Sequence, residues 1–341
     1  MDRINRRQAL TVGATGAAAL VAVATDARAA ARPANHRPVW RADYTATKTR
    51  GGQSIALAVY RKRLEAPGAG APKRPILFRV HGSSGAALSS FDLTVPGQSD
   101  YSLMDVFARA GFDVWTMDHE GYGKSARTGT NSDVASGAED LKAAADLIRL
   151  QTGQDRINLQ GESSGALRAA VFAMKYPDRV GRLGLAAFTY TGKGSPTLGE
   201  RAKQLDFYRS HDRRPRDRAM IASIFTRDRP GTTDPAVGPA MADAELIYGD
   251  SVPTGTYLDM SANLPLVDPL KLSCPVMLVR GEYDGIATDE DLLDFFGKLK
   301  MGDKQFVIIP GAAHSLATCL NRALFFHAVE AFMTMPKPVA V

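Results

Sequence analysis

From about residue 40 to residue 190, short apolar runs alternate with longer segments in which apolar residues recur at helical spacing. The apolar runs at 76–80 and 112–117 are typical of buried strands, and Leu103, Val106, Phe107 and Ala110 predict a helix between them. The same two patterns predict an early edge strand at 55–60, strands at 157–159 and 183–187, and helices around 141–148 and 166–174. This alternation is typical of an α/β fold, with a mostly parallel central sheet flanked by helices.

The alternation stops at residue 191 and resumes near residue 270. The intervening 80 residues are too long for a connecting loop in a compact domain, so we interpret 191–270 as an inserted, mostly helical cap. Beyond it the pattern predicts strands at 276–279 and 306–309 and helices at 290–299 and 316–333. The core is therefore expected to comprise residues 39–190 and 271–341.

Residues 1–29 have the order of an export signal rather than of a folded segment. A basic start ending in Arg6 and Arg7 precedes an apolar Ala-rich and Gly-rich stretch, and an A-x-A cleavage pattern follows at Ala27 and Ala29. The paired arginines resemble a twin-arginine signal, although Asn5 and Ala9 depart from its usual residues. We expect a periplasmic or secreted protein without a stable membrane anchor, whose residues 30–38 form a flexible lead-in.

Composition and cysteine content limit the classes of partner. The formal charge of the 341 residues is +6, a mild excess with no basic and aromatic ribbon, so nucleic-acid binding is not indicated. The two cysteines, Cys274 and Cys319, lack zinc-site spacing, and we expect them at opposite edges of the sheet as free thiols. Neither a metal cluster nor a nucleotide loop is visible, so no cofactor is expected, and the oligomeric state is not indicated.

The most informative motif is Gly-Glu-Ser-Ser-Gly at residues 161–165. It lies between a predicted strand and a predicted helix, the context in which a G-x-S-x-G turn exposes its serine at the strand end. Ser163 is therefore the candidate nucleophile. A serine hydroxyl needs a base, and His314 follows the last strand at the sheet edge where ligands bind in open α/β folds.

The base in turn needs an acid that fixes its tautomer, expected between the serine and the histidine in the chain. Asp284 lies in the turn after a strand, with Glu282 as the alternative and Asp289 and Asp291 as helix N-terminal residues. The loop His81-Gly82-Ser83 follows the third strand, so the backbone N–H groups of Ser83 and Ser164 are the candidate oxyanion donors. His81 is expected to hold this loop by hydrogen bonds.

These motifs, in this order, resemble those of the α/β-hydrolase superfamily, specifically its serine hydrolase and esterase branch with a helical cap. The resemblance extends to the glycine turn at residues 118–125, where Glu120 replaces the more usual Arg, and it spans about residues 76–333. It implies a catalytic triad of Ser163, His314 and Asp284. The serine argues against the dehalogenases and epoxide hydrolases of this fold, which use aspartate, and HGSSG in place of HGGPG makes the proline iminopeptidase-like branch less favoured.

Within that branch we expect cleavage of a small carboxylic ester through an acyl-enzyme. The same triad also serves C–C bond hydrolysis, amide hydrolysis and perhydrolysis, and a binding protein with a retired site is the remote alternative. Residues 201–229 hold nine cationic side chains against four aspartates, which favours a solvated face or, alternatively, a grip on a substrate carboxylate. The candidate pocket residues are Phe188, Tyr190, Phe225 and Tyr257, for which packing within the cap is the alternative role.

Overall fold

The computed structural model describes residues 38–336 and residue 339. The chain divides into residues 1–36 and residues 37–341, and the description below concerns the second unit. The predicted export signal, and all of the predicted lead-in except Pro38, lie outside the described residues. No helix in the described part of the chain is long and apolar enough to span a membrane.

In residues 38–336, ten strands form two sheets. In chain order they are β1 (Trp40–Arg50), β2 (Gln53–Arg63), β3 (Ile76–Val80), β4 (Asp113–Met117), β5 (Ile157–Glu162), β6 (Val180–Ala186), β7 (Arg213–Pro215), β8 (Ser251–Pro253), β9 (Val276–Gly281) and β10 (Lys304–Ile309). Eight of them form the main sheet in the order β1-β2-β4-β3-β5-β6-β9-β10. All neighbours from β4 to β10 are parallel, so the predicted α/β fold is confirmed.

The prediction for the first edge of this sheet was wrong. The run at 55–60 lies inside β2, which pairs with β1 on one side and β4 on the other, so the edge strand is β1. β1 has no apolar run, because its half-exposed face carries threonine, alanine and charged residues. Its antiparallel pairing with β2 turns at Gly51 and Gly52, both at positive φ, which is typical of a two-residue hairpin.

Eleven α-helices lie between or after these strands in the part of the chain that the structure describes. They are α1 (Ala87–Phe91), α2 (Leu103–Arg109), α3 (Val134–Thr152), α4 (Ser164–Lys175), α5 (Pro196–Ala202), α6 (Leu205–Ser210), α7 (Arg218–Ser223), α8 (Val237–Leu246), α9 (Gly255–Leu258), α10 (Asp289–Lys298) and α11 (Arg322–Met333). The predicted helix at 316–333 is thus divided into a short 3-10 turn, Leu316–Thr318, and α11.

The core lies in two layers, one on each face of the sheet. On one face α3, α4 and α10 pack their apolar sides against strand residues such as Phe78 and Leu159. On the other face α1, α2 and α11 bury Phe107 and Phe325 against Leu77 and Val279. The strands are buried on both sides, which explains why they appear in the sequence as continuous apolar runs.

The segment between β6 and β9 carries α5 to α9 and the small antiparallel sheet of β7 and β8. Asp291, in the first turn of α10, accepts hydrogen bonds from the backbone N–H groups of Tyr190, Thr191 and Gly192 and so fixes the start of this segment. Asp259 accepts one from Val134 N at the start of α3, 2.8 Å away. The cap is therefore held to the core by buried carboxylates.

The two cysteines are free thiols, as predicted. Cys274 lies just before β9 and Cys319 after the 3-10 turn, and both side chains are buried. Burial raises the pKa of each thiol to about 11, so both are protonated at neutral pH.

Candidate active site

The turn that carries Ser163 is strained, and its neighbours are glycines for a steric reason. Ser163 lies between β5 and α4 with φ 56° and ψ −126°, a conformation that costs free energy for a residue with a Cβ. A Cβ on Gly161 would lie 2.4 Å from the carbonyl oxygen of Gly165, and one on Gly165 would lie 2.2 Å from that of Val80. The close approach of these backbone segments thus excludes any other residue at 161 and 165.

A buried ion pair lies beneath this turn. Glu162 pairs with Arg79 of β3, whose side chain is fully buried. Burial lowers the pKa of Arg79 to about 10, a value at which the guanidinium stays charged at neutral pH. Burial also raises the pKa of the Glu162 carboxyl, and the charges of Arg79 and His314 partly offset that rise. The ion pair therefore fixes the turn to the adjacent strand, and His314 lies near enough to affect the pKa of the Glu162 carboxyl.

The structure brings Asp284 and His314 together. His314 Nδ1 lies 2.8 Å from Asp284 Oδ1, and that oxygen also accepts hydrogen bonds from the backbone N–H groups of Ile286 and Ala287. The Asp284 side chain is fully buried and that of His314 is 10% exposed. In this geometry the carboxylate orients the imidazole through Nδ1, and Nε2 remains available to act as a base.

The alternative acid, Glu282, faces away from this pair. It is exposed, and its carboxylate accepts a hydrogen bond from the backbone N–H of Gly311 at 2.8 Å. That bond lowers the pKa of the Glu282 carboxyl, which is typical of a carboxylate that stabilises a loop. The geometry favours Asp284 over Glu282 as the partner of His314.

In the described part of the chain, no hydrogen bond joins Ser163 Oγ to His314. Both residues follow parallel strands at the same edge of the sheet, because β5, β6, β9 and β10 are consecutive neighbours in it. Catalytic hydrogen bonds in free enzymes are often long and tighten only when substrate binds.

The loop after β3 packs directly against Ser163. A Cβ on Gly82 would lie 3.3 Å from Ser163 Cβ and 3.8 Å from its Oγ. Ser83 Oγ donates to Ser164 Oγ at 2.8 Å, and Thr256 Oγ1 of the cap donates to Ser83 Oγ at the same distance. Within residues 38–336 the backbone N–H of Ser83 has no protein acceptor, and that of Ser164 begins α4, where no intrahelical acceptor exists. Both N–H groups are thus free to bind a developing oxyanion.

His81 performs the role predicted for it. Its Nδ1 lies 2.8 Å from Gly82 O, and its Nε2 accepts a hydrogen bond from the backbone N–H of His119. Burial lowers the pKa of both His81 and His119 well below the usual value, so both rings are neutral. The other described histidines, His211 and His327, lie exposed in the cap and on α11.

One residue near His314 was not found from the sequence. One carboxylate oxygen of Asp228 in the cap, one of Asp284 and one ring nitrogen of His314 lie within 4.8 Å of one another. Arg227 Nε donates to it at 2.8 Å, and its side chain is 3% exposed. Burial alone would raise the pKa of Asp228, but the bonds from Arg227 outweigh it and lower that pKa. A second negative charge therefore faces the imidazole; these three groups lie close enough to hold a cation, for which the sequence gives no signal.

The four candidate pocket residues occupy different places. Phe188 and Tyr190 pack against Phe295 of α10, with ring centroids 4.8 and 5.2 Å away. Phe225 belongs to a small cluster in which cap residues pack against Leu93, Val95 and Tyr101 of the core. Tyr257 lies beside the site, because its hydroxyl is 2.8 Å from Ser84 Oγ. Their role in binding substrate stays a prediction, and Tyr257 has the position that best fits it.

Residues 98–318 match the protein family described as serine aminopeptidase, S33. The chain belongs to this family. The match identifies the protein as a hydrolase, and the solved structures that resemble the chain confirm the α/β-hydrolase fold.

Two curated relatives are hydrolases of 2-hydroxy-6-oxononadienedioate and 2-hydroxy-6-oxononatrienedioate. The protein from Paraburkholderia phymatum is 39% identical over 100 residues, covering 28% of this chain and 32% of the relative. The one from Burkholderia vietnamiensis is 35% identical over 130 residues, covering 35% of this chain and 42% of the relative. The aligned chain thus spans about a third to two fifths of these relatives.

A thermophilic esterase from Thermogutta terrifontis has a similar structure, with a TM-score of 0.62 and 20% sequence identity. The superposition covers 86% of this chain and 98% of the esterase. At this identity the likeness shows the fold alone.

Proposed function

We propose that this protein hydrolyses a small carboxylic ester through an acyl-enzyme formed on Ser163. The observation that carries the proposal is the buried Asp284–His314 pair at the same sheet edge as the strained Ser163. An ester is the least demanding acyl substrate for this arrangement. The family also includes peptidases by name, and amides are therefore part of the test.

The proposed reaction follows from the positions of these groups. His314 Nε2 accepts the Ser163 hydroxyl proton while Oγ attacks the carbonyl carbon, and the resulting imidazolium is stabilised by Asp284. The backbone N–H groups of Ser83 and Ser164 bind the oxyanion. When the tetrahedral intermediate collapses, the C–O bond to the alcohol breaks and His314 returns the proton to the departing alcohol. Water then repeats the sequence on the acyl-enzyme and releases the acid.

The first test is Ser163→Ala, which we expect to lower kcat/KM for p-nitrophenyl esters by ~10⁴-fold or more. Asp284→Asn should lower it by about 10³- to 10⁴-fold, because the imidazole loses the partner that fixes its tautomer. Glu282→Gln is the matched control and should leave the rate within about 3-fold of the wild type. Wild-type activity in Ser163→Ala would exclude the mechanism, and labelling of the wild type by a fluorophosphonate distinguishes an enzyme from a binding protein.

C–C bond hydrolysis is the second candidate, favoured by the two curated relatives, whose names give dicarboxylate dienes as substrates. A panel of p-nitrophenyl esters, anilides and vinylogous 1,5-diketones at equal concentration separates the candidates. A kcat/KM for a diketone about 100-fold above that for every ester would reject ester hydrolysis as the main activity. The anilides test whether the protein hydrolyses amides, as a peptidase does.

We also propose that the protein is exported to the periplasm or the medium. The support is the order of charges and apolar residues in 1–29, which lie outside the described residues. Sequencing the amino terminus of the protein isolated from its own host should give a start near Ala30; an intact Met1 would contradict the proposal.

A further inference from the structure

Most cations of the segment 201–229 have a partner in the protein. Five pair with carboxylates of the cap itself, namely Lys203 with Glu200, Arg209 with Asp206, Arg216 with Glu245, Arg218 with Asp243, and Arg227 with Asp228. Arg213 donates to Ser251 and to the carbonyl oxygen of Gly121. Arg229 stacks on the ring of Tyr283 next to Glu282. The predicted face of local ion pairs therefore accounts for most of these side chains.

The side chains of Arg201, Arg214 and Arg229 make no hydrogen bond or ion pair with any residue that the structure describes. Arg229 stands over the exposed ring of Tyr283 beside Glu282, whereas Arg201 and Arg214 both stand over the buried ring of Tyr257. Their Cζ atoms lie 5.1 and 4.7 Å from the ring centroid. Arg201 Nη1 is buried and has no hydrogen-bond partner.

This arrangement is electrostatically incomplete. Burial lowers the pKa of Arg201, and the charges of Arg227 and Arg214 lower it further. A buried guanidinium nitrogen without an acceptor costs free energy that a bound carboxylate would recover, and arginine binds carboxylates through two parallel hydrogen bonds. A carboxylate bound beside the Tyr257 ring would supply an acceptor for Arg201 Nη1 and a counter-charge for Arg214.

The two arginines lie beside the reacting centre. The Tyr257 ring that they flank ends in the hydroxyl bonded to Ser84, and the adjacent Thr256 donates to Ser83 of the oxyanion loop. On the other side, α5 begins at the acid turn, because Thr197 N donates to the carbonyl oxygen of Gly285. Arg201 is one helical turn further along the same face of α5. A single tyrosine ring thus separates the arginines from the loop that faces Ser163.

We propose that Arg201 and Arg214 bind a carboxylate of the substrate, so that the preferred substrates are anionic half-esters of small dicarboxylic acids. The inference rests on the proposed ester hydrolysis but not on it alone, since the same site would also receive the second carboxylate of a dicarboxylate diketone. The cap therefore selects for charge, while the core supplies the nucleophile, base and oxyanion donors.

The wild-type enzyme provides a test that needs no variant. Mono-p-nitrophenyl glutarate and its neutral methyl ester differ in the remote charge and in one methyl group. We expect kcat/KM to be about 10- to 100-fold higher for the anionic substrate, the factor expected from a charge-assisted hydrogen bond. Equal values, or a preference for the neutral ester, would overturn the proposal. Succinate and adipate analogues measure the distance from Ser163 to the anion site.

Two variants assign the effect to residues. In Arg201→Gln and in Arg214→Gln, the ratio of kcat/KM for the half-ester to that for the neutral diester should fall about 10- to 100-fold. Arg218→Gln is the matched control, since Arg218 lies in the same segment but is exposed and paired with Asp243, and it should keep the wild-type ratio. An unchanged ratio in both site variants would overturn the proposal. Should either variant not fold, Arg201→Lys and Arg214→Lys keep the charge but lose the bidentate geometry, and a smaller fall of the ratio is expected.

A binding measurement separates failure of this inference from failure of the proposed function. Calorimetry with Ser163→Ala measures the affinity for glutarate without turnover, and adding Arg201→Gln to Ser163→Ala should weaken it about 10-fold or more. Glutarate binding that is lost with Arg201 supports the anion site even if esters prove not to be the substrates. Glutarate that binds neither protein overturns it, whatever the esterase assays show.

Discussion

The glycine turn at residues 118–125 and the cap arginines Arg201 and Arg214 differ in whether their charges have carboxylate or cation partners. In the turn, Glu120 is held by Lys48 at 2.5 Å and Arg50 at 2.8 Å, and Lys48 also reaches Asp140 at 2.5 Å. In the cap, Arg201 and Arg214 face an aromatic ring with no anion among the described residues. Buried charges are tolerated when they are paired and hydrogen-bonded. The contrast therefore separates the paired charges of Lys48 and Glu120, which stabilise the fold, from those of Arg201 and Arg214, which we propose bind a ligand.

The largest expected effect comes from breaking the paired network. Lys48→Met leaves the buried carboxylates of Glu120 and Asp140 without their shared cation, and removing one partner of a buried pair costs about 3–5 kcal/mol. Lys203→Met, in an exposed pair whose side chains are 69% and 72% exposed, should cost about 0–1 kcal/mol. Urea unfolding at neutral pH measures both.

The same measurement applied to the cap tests the other half of the contrast. Because Arg201 and Arg214 have no ion pair to lose, Arg201→Met and Arg214→Met should change the free energy of unfolding by less than about 1 kcal/mol or raise it. A loss as large as that of Lys48→Met would contradict the view that these arginines serve a ligand and would give them a structural role.

An effect smaller than that of Lys48→Met is expected at Asp228, the cap carboxylate next to His314. When His314 becomes imidazolium, the charge of Asp228 helps to stabilise it, so Asp228→Asn should lower kcat for a neutral ester about 10-fold, equal to ~1.4 kcal/mol, with little change in KM. Asp243→Asn is the control, since Asp243 is exposed and paired with Arg218. Asp228→Glu should recover the activity, and the unfolding midpoint should be unchanged in all three variants if the role of Asp228 is electrostatic rather than structural. Equal losses of activity in Asp228→Asn and Asp243→Asn would contradict the electrostatic role.

The sequence was sufficient to predict the parallel part of the sheet and the Asp284–His314 pair, because a local sequence pattern indicates each of them. A buried strand is a continuous apolar run, and the turn after it carries the polar residue that lies at the sheet edge. β1 was missed because its residues alternate between small and polar types, although Gly51 and Gly52 mark its hairpin. The missed strand also explains Glu120, since Lys48 and Arg50 of β1 supply the charges that a glutamate at this turn requires.

The cap resisted prediction for a different reason. Asp228 and His314 are far apart in the sequence but close in the folded protein, and no sequence spacing predicts such a contact. The nine cations of 201–229 look alike in the sequence, and only the folded chain separates Arg218, which has a carboxylate, from Arg201, which has none. Which charges lack a partner is a property of tertiary structure, and it is this property that indicates a substrate.

The response of the protein to acid again depends on the paired network. Burial alone would raise the pKa of Glu120, but hydrogen bonds from Arg50 and Lys48 outweigh it and lower that pKa to about 2, against an ordinary value of 4.5. The unfolded chain therefore binds this proton near pH 4.5 and the folded chain only near pH 2. The stability that Glu120 contributes is complete above about pH 4.5 and is lost as the pH falls toward 2.

Wild type should thus lose stability to urea between about pH 4.5 and pH 2 more steeply than Glu120→Gln, even though the variant is less stable at neutral pH. Asp140 gives a slope of opposite sign just above its ordinary pKa, because burial raises the pKa of its carboxyl, and this reduces the net effect in both proteins. The difference between the two proteins isolates Glu120, since Asp140 is common to both. Parallel curves of urea midpoint against pH would mean that Glu120 keeps an ordinary pKa. The ion pairs of the glycine turn would then not stabilise the Glu120 carboxylate.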